Sequence, residues 1–383
     1  MMQRLLVTYT ALAGLLTGCA GFHTRPDAAR LDIGNVSRTG QLAIAFDQDG
    51  NPYPPSQWSH VLPNGEFDWM AIPERGLSPA FQLRDLPGLG NSRYADDSDE
   101  ALIELYAALL GESLGDSKQL FIFIHGFNNT SQEAADNIEA LANAVDVRDA
   151  VRLDVFWDGL NDGGRRTNAI PFRWRKSLVY SSRAGQLGLR RILNRLPRPV
   201  EVTFVTHSRG AGVALATLAD PYYEADICAP GGMPAAGRCR YDHEAPDHSR
   251  YRAIRMLMLA PAIGDEHIRQ STFEQISTLT PLDIGVVANE RDVATCKTFL
   301  FPAHWFGDSR LGCRTGYIQA TEAGFARGTQ ANFTYRTFAA RRRSHSVDTY
   351  LQQTQTRELI CAHGLSTAAC ASAPTASSDA TTP

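Results

Sequence analysis

Five consecutive residues, Thr206-His207-Ser208-Arg209-Gly210, carry the strongest chemical signal in the chain. They follow an apolar run, Val200 to Thr206, and precede a small-residue segment, Ala211-Gly212-Val213-Ala214. A serine on a sharp strand-to-helix turn stands its hydroxyl clear of a sheet, where it can act as a nucleophile. Such a turn wants small residues two before and two after the serine, because strand and helix nearly touch there. Gly210 meets the second demand, while Thr206 stands where a glycine is usual and tightens the turn. Two other readings use the same residues. A polar turn with Ser208 as a helix N-cap involves no chemistry. A dinucleotide loop could start at Gly210-x-Gly212, but its third glycine is replaced by Leu215 and a proline-broken stretch sits where its second strand should end.

The elements around this turn can be read from the apolar pattern. Gln119 to Ile124 is a continuous apolar run, as expected for a strand covered on both faces, and it ends in His125-Gly126-Phe127-Asn128-Asn129. Asp97-x-x-Glu100 reads as a capping box for a helix burying Leu102, Ile103, Leu105, Tyr106, Leu109 and Leu110. Further helices are predicted from Thr130 to about Val145, over roughly Lys176 to Leu196, and from Arg209 to Asp220. Strands are predicted over Gln41–Phe46, Val151–Trp157, Val200–Thr206, Ala253–Ala260 and Ile284–Ala288. Asp47-Gln48-Asp49-Gly50-Asn51 imitates the start of a calcium loop, but Trp58 occupies the twelfth position, where a bidentate glutamate is required, so it reads as a turn. Residues 221–250 read as an insertion, and 371–383, rich in Ala, Ser, Thr and Pro, as a disordered tail. Alternating strands and helices predict an α/β fold with a mostly parallel central sheet and helices on both faces.

A strand ending in His-Gly, followed about 80 residues later by a serine on a tight turn, resembles the alpha/beta-hydrolase superfamily. The FIHGFNN and THSRG versions are most similar to a bacterial branch of hydrolases related to esterases and lipases. The resemblance covers roughly residues 100–360. It implies that Ser208 is the nucleophile and that the backbone N–H groups of Phe127 and Arg209 form an oxyanion hole, with Gly126 allowing close backbone approach. Chain order in that fold is serine, acid, histidine. Asp292, just past the strand ending at Ala288, is therefore the favoured orienting acid, with Glu290 and Asp265 as runners-up. His345, which precedes Val347, Tyr350 and Leu351, is the favoured base over His304 and His363. His125 reads as a packed histidine rather than a base.

The N-terminus carries a different message. Met1 to Arg4 and an apolar stretch from Leu5 to Leu16 fit a signal peptide, too short for an ordinary membrane-spanning helix. Leu16-Thr17-Gly18-Cys19 resembles a bacterial lipoprotein lipobox, which implies lipidation of Cys19, and Ala20 after it resembles the outer-membrane pattern. The resulting organisation is a signal peptide (1–18), a tether (19–40), an N-terminal extension packed on the catalytic domain (41–99) and a hydrolase domain (100–365) interrupted at about 221–250.

Six cysteines remain after Cys19. In an oxidising compartment they suggest disulfides, and proximity in sequence favours Cys228–Cys239, Cys296–Cys313 and Cys361–Cys370. No C-x-x-C or repeated His/Cys spacing suggests a metal, and no cofactor is implied. A net charge of -4 and a pI near 6.2 without a long basic block argue against nucleic-acid binding. The expected function is a lipid-anchored cell-envelope serine hydrolase acting on small acyl esters or thioesters through an acyl-enzyme, with the membrane as its anchor and the periplasm or cell surface as its compartment. The alternatives are a non-catalytic binding or scaffold lipoprotein on the same fold, which predicts loss of a catalytic residue, and a lipase, which would need an apolar lid. Oligomeric state is not legible.

Overall fold

Buried apolar runs need a partner on each face, and a parallel sheet between helices supplies both. The computed structural model describes residues 41–47, 49–53, 98–117, 119–129, 131–159, 170–219, 244–264, 281–296, 309–313, 315–325, 331–340, 344–366 and 370. Among these, seven strands form one sheet: β1 (Gln41–Ala45), β2 (Gln119–Ile124), β3 (Val151–Phe156), β4 (Val200–His207), β5 (Tyr251–Leu259), β6 (Leu282–Asn289) and β7 (Ala331–Phe338). Their order is β1-β3-β2-β4-β5-β6-β7, with every neighbouring pair parallel. β1 is thus an edge strand of the central sheet, paired in parallel with β3.

Successive side chains of each strand point to opposite faces, so one apolar run feeds two cores. Leu120, Ile122 and Ile124 of β2 join one cluster with helix α1 (Ser98–Leu114) and helix α5 (Gly210–Leu218). Phe121 and Phe123 join the other, with helix α2 (Ser131–Ala144), α7 (Val347–Leu351) and α8 (Thr354–Ala362). The remaining helices are α3 (Ile170–Arg183), α4 (Arg190–Asn194) and α6 (Thr315–Phe325). Between α3 and α4 the chain makes a π-helical segment, Ala184–Leu189, where the sequence alone predicts one unbroken helix from about Lys176. Its glycines explain the close packing. A Cβ on Gly185 would lie 2.6 Å from Ala216 Cβ, and one on Gly188 would lie 2.4 Å from the Phe46 ring.

Buried Arg190 closes the far end of α5. Its guanidinium donates to the carbonyls of Ala216, Thr217 and Ala219, groups that a helix C-terminus otherwise leaves unsatisfied. Arg195 joins Glu100, Glu104 and Glu244, tying α1 to the segment that leads into β5. The described part of the segment assigned to the insertion, 244–250, ends in a short 3-10 turn, His248–Arg250, that leads into β5. Cys296–Cys313 and Cys361–Cys370 are at disulfide distance. Cys19, the Cys228–Cys239 pair, Asp265, His304, Trp58, the signal peptide, the tether and the tail all lie outside the described residues. No described helix is long and apolar enough to cross a membrane.

Candidate active site

Among the described residues, three other than glycine hold a left-handed backbone: Asn128 (φ 65), Ser208 (φ 55) and Ala260 (φ 51). Each follows the C-terminal end of a strand, β2, β4 and β5 respectively. Such φ values cost conformational energy and persist only where surroundings impose them. At Ser208 the cause is visible. Its N–H donates to Leu259 O (2.9 Å) and its carbonyl accepts from Ala262 N (3.0 Å), which locks the turn onto the β5 end. The helix beyond it crosses the tip of β2: a Cβ on Gly210 would stand 2.6 Å from the carbonyl oxygens of Ile124 and His125. Thr206, in the position usually held by glycine, fits within the sheet opposite Ile124 and is fully buried.

This turn aims Ser208 at a chain of hydrogen bonds. His345 Nε2 lies 2.7 Å from Ser208 Oγ, and His345 Nδ1 lies 2.7 Å and 2.9 Å from the two carboxylate oxygens of Asp292. With Nδ1–H donating to the carboxylate, Nε2 presents its lone pair to the serine proton. Asp292 is wholly buried while His345 is one-fifth exposed, so the carboxylate is sheltered and the imidazole reaches the surface. The Asp292 carboxylate accepts three further hydrogen bonds, from the N–H groups of Ala294 (2.8 Å) and Thr295 (3.0 Å) on one oxygen and from Tyr350 Oη (2.7 Å) on the other, and its backbone N–H donates to Asn289 O (2.9 Å). Burial pushes the Asp292 carboxyl up, but His345, Tyr350 and the Thr295 N–H together outweigh it and hold the group below its ordinary range.

Two loops must be kept in register for this to hold. Asn289, at the end of β6, donates from Nδ2 to Ser344 O (3.3 Å) and accepts at Oδ1 from Ala340 N (3.2 Å) and Arg291 N (3.1 Å). His207 donates from Nε2 to His345 O (2.9 Å), gripping the backbone of that residue. Burial, with the nearby His345, lowers its pKa to about 3, so it stays neutral. Thr295 and Ser309 bond across the Cys296–Cys313 bridge, through Thr295 Oγ1 to Gly312 O (3.0 Å) and Ser309 Oγ to Thr295 O (2.9 Å).

Gly126 lies against the serine itself. A Cβ there would meet His207 Nδ1 and Ser208 Cβ, both at 2.9 Å. Phe127 follows, half-buried, with its ring edge on Trp174 (centroids 5.5 Å apart). Buried Arg209 donates from Nε to Ser181 Oγ (3.1 Å) and from its guanidinium to Ala262 O (2.8 Å), pinning the residue after the serine.

The competing residues lie elsewhere. His125 accepts Trp157 N–H at Nε2 (3.1 Å) and pairs through Nδ1 with Gly126 O (2.7 Å), a tie between β2 and β3; burial lowers its pKa to about 4. His363 pairs with Asp283, at the opposite end of β6 from Asp292. Glu290 accepts from the Thr315 hydroxyl (2.5 Å). Asp47 Oδ1 accepts the N–H groups of Asp49 and Asn51, an Asx turn in place of a calcium loop. The roles of Asn289, His207 and the Tyr350 hydroxyl are absent from the sequence analysis. An apolar period predicts that Tyr350 is buried but says nothing of where its hydroxyl goes.

Residues 107–295 match the family described as alpha/beta hydrolase of unknown function (DUF900). No curated protein matches the chain. Among solved structures, an uncharacterised protein from Bacillus cereus ATCC 10987 is 13% identical over 61% of this chain, with a TM-score of 0.29; the chain spans 57% of that protein. LpqC, a poly(3-hydroxybutyrate) depolymerase from Bordetella parapertussis, is 11% identical over 64% of this chain and 79% of its own, with a TM-score of 0.35. The lin2722 product of Listeria innocua is 12% identical over 64% and 93%, with a TM-score of 0.32. Similarity at that level carries no argument about substrate. The family match, over just under half of the chain, and the seven-stranded parallel sheet with helices on both faces give the chain an alpha/beta-hydrolase fold.

Proposed function

We propose that the protein is a serine hydrolase that cleaves carboxylic esters or thioesters through an acyl-enzyme. One observation carries the reading: the unbroken Ser208–His345–Asp292 hydrogen-bonded chain on a strained turn at the carboxyl edge of the sheet. A serine hydroxyl becomes nucleophilic as a base removes its proton during attack. Ser208 Oγ would bond to the acyl carbon while its proton passes to His345 Nε2. Asp292 would hold the imidazolium in place without taking its proton. The oxyanion would receive the backbone N–H groups of Phe127 and Arg209. Collapse would expel the alcohol or thiol, protonated by His345. Water, deprotonated by the same base, would then release the acid and restore Ser208.

The non-catalytic alternative requires a lost member of this set, and none is lost. A lipase would need an apolar lid, and residues 221–250, which carry many charges beside Tyr222, Tyr223 and Met233, do not read as one. We assign the protein to the cell envelope through a lipid on Cys19, on the strength of the Leu16–Cys19 pattern and the paired cysteines.

The mechanism is tested by hydrolysis of a short-chain aryl ester and by labelling with a fluorophosphonate, comparing wild type with Ser208→Ala. Expected are loss of labelling and a fall in turnover of up to about 10⁶-fold, with unchanged circular dichroism. A folded Ser208→Ala that retains most of its activity refutes the reading. The anchor is tested by fractionation: Cys19→Ala should leave the membrane fraction, and unchanged partitioning with normal maturation would refute lipidation there.

A further inference from the structure

We infer that Tyr350 is a positioning residue for the candidate acid, acting on the reaction through Asp292. The inference rests on the serine-hydrolase reading above. Tyr350 is fully buried on α7, five positions after His345, and its hydroxyl donates to Asp292 Oδ2 at 2.7 Å. That oxygen also receives His345 Nδ1 at 2.7 Å, while Oδ1 receives Ala294 N and Thr295 N. One carboxylate oxygen is therefore fixed by two backbone N–H groups of its own loop, the other by His345 and by a side chain of the helix that directly follows His345. Thus α7 ties the acid to the base.

The ring has its own supports. Its edge meets Phe338 at the end of β7 (centroids 5.1 Å apart) and His207 at the end of β4 (6.3 Å). Removing the hydroxyl alone leaves this packing in place. Among the described residues, the ionisable groups facing Asp292 and His345 are Tyr350 itself, whose phenol is raised by burial and by Asp292, and neutral His207, with His125 behind it. Glu290 faces Thr315 instead, and Asp348 is exposed.

A hydrogen bond to a carboxylate favours its ionised form. Without the Tyr350 hydroxyl, the Asp292–His345 pair takes up a proton more readily, whichever of the two carries it. The acidic limb of the kcat/KM profile must therefore move to higher pH. Loss of the restraint on Oδ2 also lets the carboxylate turn, which loosens the imidazole it orients.

The experiment measures aryl ester hydrolysis against pH for wild type, Tyr350→Phe, Asp292→Asn and the double variant, with Ser208→Ala as the control. Tyr350→Phe should lower kcat by about tenfold, change KM by less than about twofold, and shift the acidic limb upward. In the Asp292→Asn background the same change should have little further effect, because the two act as one unit. An unshifted acidic limb, or full additivity with Asp292→Asn, overturns the inference while leaving the nucleophile assignment intact. Activity that survives Ser208→Ala overturns both. Should Tyr350→Phe fail to fold, fluorotyrosine at position 350 keeps the packing and strengthens the donor. The limb should then move to lower pH, and an unchanged limb overturns the inference.

Discussion

At the scale of single residues, Gly126 shows how a missing side chain creates a site. Its Cα is close enough to Ser208 that any Cβ would sit 2.9 Å from both Ser208 Cβ and His207 Nδ1. Gly126→Ala should therefore displace the start of the loop that carries Phe127 N–H. On the proposed mechanism that N–H is an oxyanion donor, and losing one costs about 2.7–4 kcal/mol in the transition state, so kcat should fall by about 10²–10³-fold with the fold retained. Steady-state kinetics beside circular dichroism check this, and a folded variant within about twofold of wild type would contradict it. The need for glycine here is legible in the sequence, because His-Gly at the end of an apolar run marks close backbone approach. Tyr350 is not legible in the same way. Its hydroxyl meets a carboxylate 58 positions away, and no local pattern encodes that distance.

At the scale of elements, the buried strands were the easiest to read. β2, β3, β4 and β6 are nearly continuous in burial, and an unbroken apolar run is itself a signal. β7 and α6 receive no assignment from the sequence. β7 is an edge strand, half-exposed along most of its length, so its apolar signal is diluted by Asn332, Thr334 and Arg336. The π segment at Ala184–Leu189 is invisible for another reason. Its two glycines weaken a helix without saying how the turn changes, and the close approach of α5 to Gly185 and of the Phe46 ring to Gly188 is set by tertiary packing. Placement of β1 in the sheet likewise depends on a parallel register with β3, more than a hundred residues away.

At the scale of the whole molecule, burying two neutral histidines couples stability to pH. His125 and His207 have folded pKa values of about 4 and about 3, each lowered first by burial, against 6.5 for a free imidazole. Below about pH 6.5 the unfolded chain gains protons that the folded chain does not bind, so stability must fall as pH drops toward those folded values. Asp292 adds to this at lower pH. Its folded pKa is depressed, so its contribution is present above the unfolded aspartate value and lost as pH falls through the folded one. Thermal melts across the acidic range should show Tm declining steadily between about pH 6.5 and about pH 4, and a flat Tm between about pH 7 and about pH 5 would contradict the account.

The sequence by itself determined which residues could do chemistry and which runs had to be buried. A serine beside Gly210 on a turn, a His-Gly after an apolar run, and acids and histidines in a workable order are all local or ordinal facts. The tertiary structure alone decided which of them meet. Ser208 reaches His345 across 137 positions and His345 reaches Asp292 across 53, distances set by strand order and register. Side-chain periodicity states which face a residue occupies; the sheet's crossovers bring those faces together at one edge. Hydrogen-bond partners therefore follow from topology, and only the residues able to use them are written in the chain.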